Sequence, residues 1–162
     1  MQLEPIGVIH TPFKEAAGTP IQPAMAGGAE GVIEVLPEFE EALADLENFE
    51  RVWLVYWFDR STGYQCKVRP FLEECERGLF STRAPRRPNQ IGLSCVRLLS
   101  VEGCRLRVAD LDILDGTPLL DIKPYVPRFD AYPEARAGWL DNTKRVNHSD
   151  VAADERFSRH DD

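Results

Sequence analysis

Short runs of strand-forming residues, some of them alternating hydrophobic and polar with a period of two, recur along this chain, bounded by proline, glycine and charged residues. Residues 3–9 (LEPIGVI) predict a first strand and residues 31–36 (GVIEVL) a second. Residues 51–58 (RVWLVYWF) are apolar on both faces and rich in β-branched and aromatic side chains, the pattern of a central strand. Residues 66–70 predict a short strand, and 71–81 a connection. Residues 91–101 alternate as a strand that turns at Gly103 into 105–109, giving a hairpin, which 111–114 continue. Residues 119–125 (LLDIKPY) form the last strand. The period changes once: after Pro37, Phe39, Leu43 and Leu46 recur at helical spacing and acids fill the first turn, which predicts a helix over PEFEEALADLENF.

About seven strands and one clear helix, with no alternation of strand and helix, argue against a doubly wound parallel sheet. The predicted fold class is mainly β with one or two helices: a small mixed or antiparallel β-barrel, non-Rossmann. Residues 1–140 are expected to form one domain. Residues 141–162 are expected to be an acidic, loosely ordered C-terminal tail, since they hold few apolar side chains. Three prolines and three glycines between residues 11 and 28 predict a long irregular loop, and such loops in compact domains are often functional.

Composition narrows the class without naming a function. With 162 residues, 43% hydrophobic and 28% charged, the chain suits a single globular domain. No run approaches the ~20 apolar residues of a membrane span, and the N-terminus lacks a signal-peptide pattern, so a cytoplasmic location is expected. The four cysteines include no CxxC pair, which argues against a zinc site; reduced thiols, several of them in the core, are expected. The net charge of −8 is unevenly spread. Residues 28–51 hold eight acids against Arg51 alone, whereas residues 66–107 hold nine bases against four acids. An anion responds to the nearby field rather than to the total, so the middle of this acidic chain is a candidate anion-binding face.

Common catalytic motifs are missing: there is no Walker loop, no GxGxxG and no nucleophile elbow. His148 and His160 lie in the tail and His10 reads as a turn residue, so a Ser/His/Asp hydrolase has little support. What remains is polar groups at strand ends: Asp59-Arg60, Arg83 through Asn89, then Asp112, Asp115 and Asp121, with Lys123 and Tyr125 behind. A barrel brings strand ends together at its mouth. Asp115-Gly116 is also an ordinary turn dipeptide. Strand alternation puts Asp121, Lys123 and Tyr125 on one side, an arrangement suited to ion binding or proton handling and equally to a surface salt bridge. The segment Thr82–Ser94 (TRAPRRPNQIGLS) concentrates three arginines and two prolines in its first seven residues, and the prolines fix the backbone. Restrained guanidinium groups are aimed, and their planar forks suit carboxylates and phosphates.

Three stretches carry a family resemblance: IGVIHTPFK at 6–14 with Pro20 and Gln22-Pro23 downstream, GLFSTRAPRRPNQIGLS at 78–94, and LDGTPLLDIKPYV at 114–126. Together they resemble, in order, the signature of the TsaA-like (TrmO) family. Ala84 and Gln90 stand where members often carry serine and proline, and bacterial members have a further C-terminal domain where this chain has its acidic tail. The resemblance implies a small β-barrel that binds S-adenosylmethionine, usually as a homodimer, and methylates the exocyclic nitrogen of threonylcarbamoyladenosine beside the anticodon of certain tRNAs. It implies cofactor contacts from Gln22, Pro23, Ala24, Asp59, Arg60, Arg83, Leu93, Ala109, Asp110, Leu111 and Asp112. For the chemistry, Asp121, Lys123 and Tyr125 are the candidates to remove or stabilise the proton of the accepting nitrogen. Arg86, Arg87, Asn89, Lys67 and Arg69 are the candidate contacts to the RNA substrate, and few exposed aromatics are identifiable for base stacking. No metal and no membrane partner is expected. The alternatives are a methyltransferase for a small molecule or another RNA, and a sensor that binds S-adenosylmethionine without chemistry.

Overall fold

The computed structural model describes residues 2–143 and 153. Eight strands form in chain order: β1 (Gly7–His10), β2 (Glu30–Val35), β3 (Arg51–Trp57), β4 (Lys67–Val68), β5 (Arg77–Gly78), β6 (Ile91–Glu102), β7 (Arg105–Ala109) and β8 (Thr117–Pro124). Six of them close a barrel in the order β1-β2-β7-β6-β3-β8, and every pairing is antiparallel. The remaining two, β4 and β5, make a separate two-stranded ribbon. Closure removes the unpaired edges that an open sheet would expose. The expected barrel is therefore present, with its wall built from six strands.

The period-two pattern explains the core. On β3, Val52, Leu54 and Tyr56 point inward while Arg51, Trp53 and Val55 point out. Ile9, Ile33, Val96, Leu106, Val108 and Leu119 join them with no exposed surface. The segment after Pro37 differs from the predicted single helix: it forms two 3₁₀ turns, Pro37–Leu43 and Leu46–Asn48, separated by Asp45 at a φ of 65°. Six acids and no base between residues 37 and 50 deny a regular helix any opposite-charge pairs one turn apart. The apolar spacing still serves its purpose, because Leu43 is buried in the barrel core and Phe39 and Leu46 pack against it.

Residues 111–114 do not continue the hairpin. Asp110 adopts a φ of 66°, which turns the chain out of β7 and drops Leu111 and Ile113 into the core. All four cysteines are free, as expected, but none is fully buried: Cys66 and Cys75 are exposed, and Cys95 and Cys104 half-buried. Most of the predicted tail falls outside the described residues; Ala153 exchanges two backbone hydrogen bonds with Gly18 and Thr19. Among the described residues, no helix is long and apolar enough to cross a membrane.

Candidate cofactor and substrate site

One polar cluster sits in the otherwise apolar wall formed by β3 and β6. Tyr56 on β3 lies opposite Gly92 on β6, and Ser94, two residues on, also points inward. A Cβ on Gly92 would stand 2.1 Å from the Tyr56 ring, so glycine here makes room for that ring. Ser94 Oγ donates to Asp112 Oδ1 at 2.6 Å. Its proton being committed there, it accepts from the Tyr56 hydroxyl at 3.1 Å. Burial pushes the Asp112 carboxyl up from the usual 3.8 to about 6, against the opposing pull of the Ser94 bond and the Arg83 charge. Burial, then the Asp112 charge, holds the Tyr56 hydroxyl in its neutral form.

Arg83 completes this cluster from outside the barrel. Its charge is felt by both Asp112 and Tyr56. Its Nη1 donates to Gln22 Oε1 at 2.6 Å. Gln22 is extended and precedes a 3₁₀ turn at Pro23–Met25, in which Pro23 supplies the fixed φ and Ala24 is exposed. A guanidinium, a carboxamide and a half-buried carboxylate thus converge from three distant parts of the sequence.

A second knot lies at the β8 end of the loop after β1. Asp115 accepts from the Thr11 backbone amide at 3.0 Å and pairs with Lys14, which holds its carboxyl below the usual range. Arg60 Nη2 donates to the Asp115 carbonyl at 2.6 Å. Asp59 beside it is exposed.

Residues 8–131 match the tRNA-methyltransferase O N-terminal domain. The chain belongs to that family. It is 51% identical, over 93% of its length and 81% of the relative's, to a probable S-adenosyl-L-methionine-binding protein of Pyrococcus abyssi. It is 38% identical to a mouse tRNA (adenine(37)-N6)-methyltransferase, over 79% of this chain but 31% of that protein. The crystal structure of TrmO from Pseudomonas aeruginosa superposes with a TM-score of 0.72 at 44% identity, covering 85% of this chain and 62% of that one. The chain thus spans well under two thirds of the mouse enzyme and slightly under two thirds of the bacterial one.

Within this TrmO-type barrel the family-implied positions fall into separate groups. Gln22, Arg83 and Asp112 meet as described. Asp110 is taken up by Arg51 at 3.1 Å and Arg97 at 3.2 Å, an ion-pair hub that fastens β3, β6 and the end of β7. Ala109 and Leu111 are buried, so their backbones are what they can offer a ligand. Leu93 lies on the opposite face of β6 from Ser94 and is 51% exposed. Asp121 and Lys123 share that outer face, each cross-paired with an outward residue of β3, and form an ion pair at 2.7 Å. Tyr125 stands edge-on to Trp53 beside them. The alternation that put these three on one side is present, but the side is the exterior, away from Asp112 of the same subunit.

The candidate RNA contacts cluster on the arm from residue 66 to 90. Lys67 and Arg69 are exposed on and after β4, and Asn89 is exposed just before β6. Arg86 is half-buried in the proline-rich loop. Arg87 Nη1 donates to the Thr82 carbonyl at 3.0 Å, so it braces the loop that carries Arg83. Sequence reasoning missed Tyr56 and Ser94, because one reads as a core aromatic and the other as a lone serine in an apolar strand. The usable signal was register: alternation from Gly92 places Ser94 inward, and a buried hydroxyl requires a partner.

Proposed function

We propose that this chain is an S-adenosylmethionine-dependent methyltransferase acting on an adenine of tRNA, and that the accepting group is the exocyclic nitrogen of threonylcarbamoyladenosine beside the anticodon. The observation that carries this reading is the convergence of Gln22, Arg83 and Asp112 in a chain of the TrmO family. The donor set suits the cofactor: a guanidinium matches its carboxylate, and an amide and a carboxylate match its ammonium and ribose hydroxyls. When bound, S-adenosylmethionine supplies a methyl group on a positively charged sulfur.

The chain's own work is orientation and charge. Asp112 is ionised above about pH 6, and Ser94 fixes one of its oxygens so that the other is aimed. Arg83, held by Gln22, presents its remaining N–H groups to an anionic end. In this reading Pro23 and Ala24, with the backbones of Ala109 to Leu111, would shape the rest of the cofactor's seat, and Asp59 and Arg60 would add contacts from the second knot, where Arg60 is tied to the Asp115 carbonyl. Lys67, Arg69, Arg86, Arg87 and Asn89 would meet the phosphates and the threonyl carboxylate of the RNA.

A homodimer resolves the separation of Leu93 from Asp112. The outer face of β6, β3 and β8 carries Ile91, Leu93 and Trp57, all at least 40% exposed, beside Asp121, Lys123 and Tyr125. In this reading that face packs on a second subunit and lends it those side chains. The Asp121 carboxylate, steadied by Lys123, then takes the proton that the adenine nitrogen must shed. A soluble tRNA enzyme of this kind would work in the cytoplasm.

The test is mass analysis of tRNA nucleosides after incubation with the purified protein and methyl-labelled cofactor. Label on threonylcarbamoyladenosine supports the full reading. Label on another adenine overturns the nucleoside assignment. No label, with heat of cofactor binding intact in calorimetry, overturns tRNA as the substrate and leaves cofactor binding, the property that the name of the Pyrococcus relative states.

A further inference from the structure

We infer that Phe80 is the stacking platform for an unpaired base of the RNA substrate; this rests on the reading of the chain as an RNA-modifying enzyme. Phe80 is 80% exposed, the most exposed large hydrophobic side chain among the described residues. Water penalises a bare aromatic ring of this size, and its setting does not resemble a mobile loop tip. The 3₁₀ turn Leu79–Ser81 that carries it is anchored by Leu79, which is 3% exposed and packs with Val68 and Ala84. Both hydroxyls that follow are tied back: Ser81 Oγ donates to the Gly78 carbonyl and Thr82 Oγ1 to the Leu79 carbonyl, each at 2.8 Å. Trp139 Nε1 adds a bond to the Ser81 carbonyl at 2.8 Å. The ring is held out on a fixed base.

Its chemistry favours a nucleobase over an apolar protein surface. The Arg87 guanidinium lies 5.6 Å from the Phe80 ring centroid, itself restrained by the Thr82 and Ala84 carbonyls. A ring beside a guanidinium offers a π face and a positive charge together, the combination that holds single-stranded nucleic acid. The surrounding arm, residues 66–90, has six bases against Glu73, Glu74 and Glu76, and Glu73 is already paired with Arg77. Phe80 also precedes Arg83 by three residues, so the two Cα atoms are within about 11 Å of one another. A base stacked on Phe80 would therefore be a near neighbour of the cofactor site that Arg83 helps to build. Bases splayed out of a loop can stack in this way, whereas those of a duplex are already stacked.

The experiment measures binding of a labelled anticodon stem-loop RNA, and of the same stem closed as a duplex, by fluorescence anisotropy at one salt concentration. Wild type is compared with Phe80→Ala and Phe80→Trp. Phe80→Ala is expected to weaken the stem-loop roughly tenfold or more, to leave the duplex unchanged, and to leave calorimetric binding of S-adenosylmethionine and the sedimentation coefficient unchanged. Phe80→Trp is expected to retain stem-loop affinity and to show added tryptophan fluorescence that RNA quenches. Equal stem-loop affinity of Phe80→Ala and wild type overturns the inference. So does an equal loss on stem-loop and duplex, which would mean general electrostatics. A shift of Phe80→Ala to a smaller species with RNA affinity intact also overturns it, because the ring would then belong to a subunit contact. If wild type binds the stem-loop through Phe80 but transfers no methyl group, the stacking platform stands and the proposed reaction fails.

Discussion

The barrel and the arm from residue 66 to 90 are stabilised by different means. Thirteen buried residues form one continuous core inside the barrel, and six strands close around it without an edge. The arm has only a small cluster of buried side chains, Val68, Leu79 and Ala84, and a ribbon of two short strands. Its shape relies on polar ties instead: the Arg77–Glu73 pair, the Arg87 bonds to two carbonyls, and the Trp139–Ser81 contact. Apolar burial is insensitive to salt and is lost only with the fold, whereas exposed polar ties are individually worth little. The candidate site straddles this boundary. Tyr56, Ser94 and Asp112 belong to the rigid wall; Arg83, Arg87 and Phe80 belong to the arm. Half of the site is fixed by the fold, and half is positioned by a segment able to open without unfolding the rest.

The strongest way to break the comparison is a cavity in the wall. Leu54→Ala removes a fully buried side chain from β3 and is expected to cost about 2–5 kcal/mol. In urea the loss should appear as a single transition in which arm and barrel unfold together.

Next in size is the acidic group in the wall. The folded protein binds the Asp112 proton more tightly than the unfolded chain does, since the carboxyl rises from 3.8 to about 6. Its contribution to stability is therefore complete below about pH 4 and is lost as pH rises toward 6, levelling off above that. Comparing wild type with Asp112→Asn isolates this group. The wild type should lose on the order of 3 kcal/mol relative to the variant across that window, and parallel stability-pH curves for the two proteins would remove the buried-carboxylate assignment.

Gly92→Ala is smaller and local. The new methyl group collides with the Tyr56 ring, and relief by shifting that ring is expected to cost about 1–3 kcal/mol. It should also loosen the Tyr56–Ser94–Asp112 chain; because the Ser94 bond pulls the Asp112 carboxyl down against burial, a carboxyl-carbon NMR titration would register a rise of the Asp112 midpoint above about 6.

The smallest global effect, and the one that sharpens the comparison most, is expected from Leu79→Ala. Hydrogen exchange should show amides of residues 66–90 losing protection while those of β3 and β6 keep theirs. The global unfolding free energy should move by less than about 1 kcal/mol, because the arm opens as its own unit. Cofactor affinity should fall with Arg83 no longer held against Gln22. A global loss equal to that of Leu54→Ala would show that arm and barrel are one cooperative unit.

How much of this was legible in advance depends on the range of the interactions involved. Alternation along 91–101, the β-branched and aromatic run at 51–58 and the turn at Gly103 into 105–109 specified strands correctly, since strand period, β propensity and tight turns are local properties of the chain. The same logic placed Asp121, Lys123 and Tyr125 on one side, but could not say whether that side was core or exterior. The missing information was the register Val55–Asp121 and Trp53–Lys123. The helix after Pro37 was mistaken in type because 3₁₀ and α turns share similar apolar spacing over a few residues, and that spacing does not register the lack of opposite-charge pairs among its six acids. Leu111 to Leu114 read as a strand because nothing local marks Asp110 as a residue in the left-handed region.

The residues alone thus determined a β-rich chain of about the right number of strands, a stiff basic segment, and three motifs of one family, because periodicity, proline restraint and motif order are properties of neighbours along the chain. Tertiary structure decided that Gln22, Arg83 and Asp112 converge, that Tyr56 and Ser94 lie behind them, and that Phe80 is held out in solvent. Each of these depends on which strands pair across tens of residues and in what register, and those pairings are chosen by the collective burial of the core rather than by any local run of sequence.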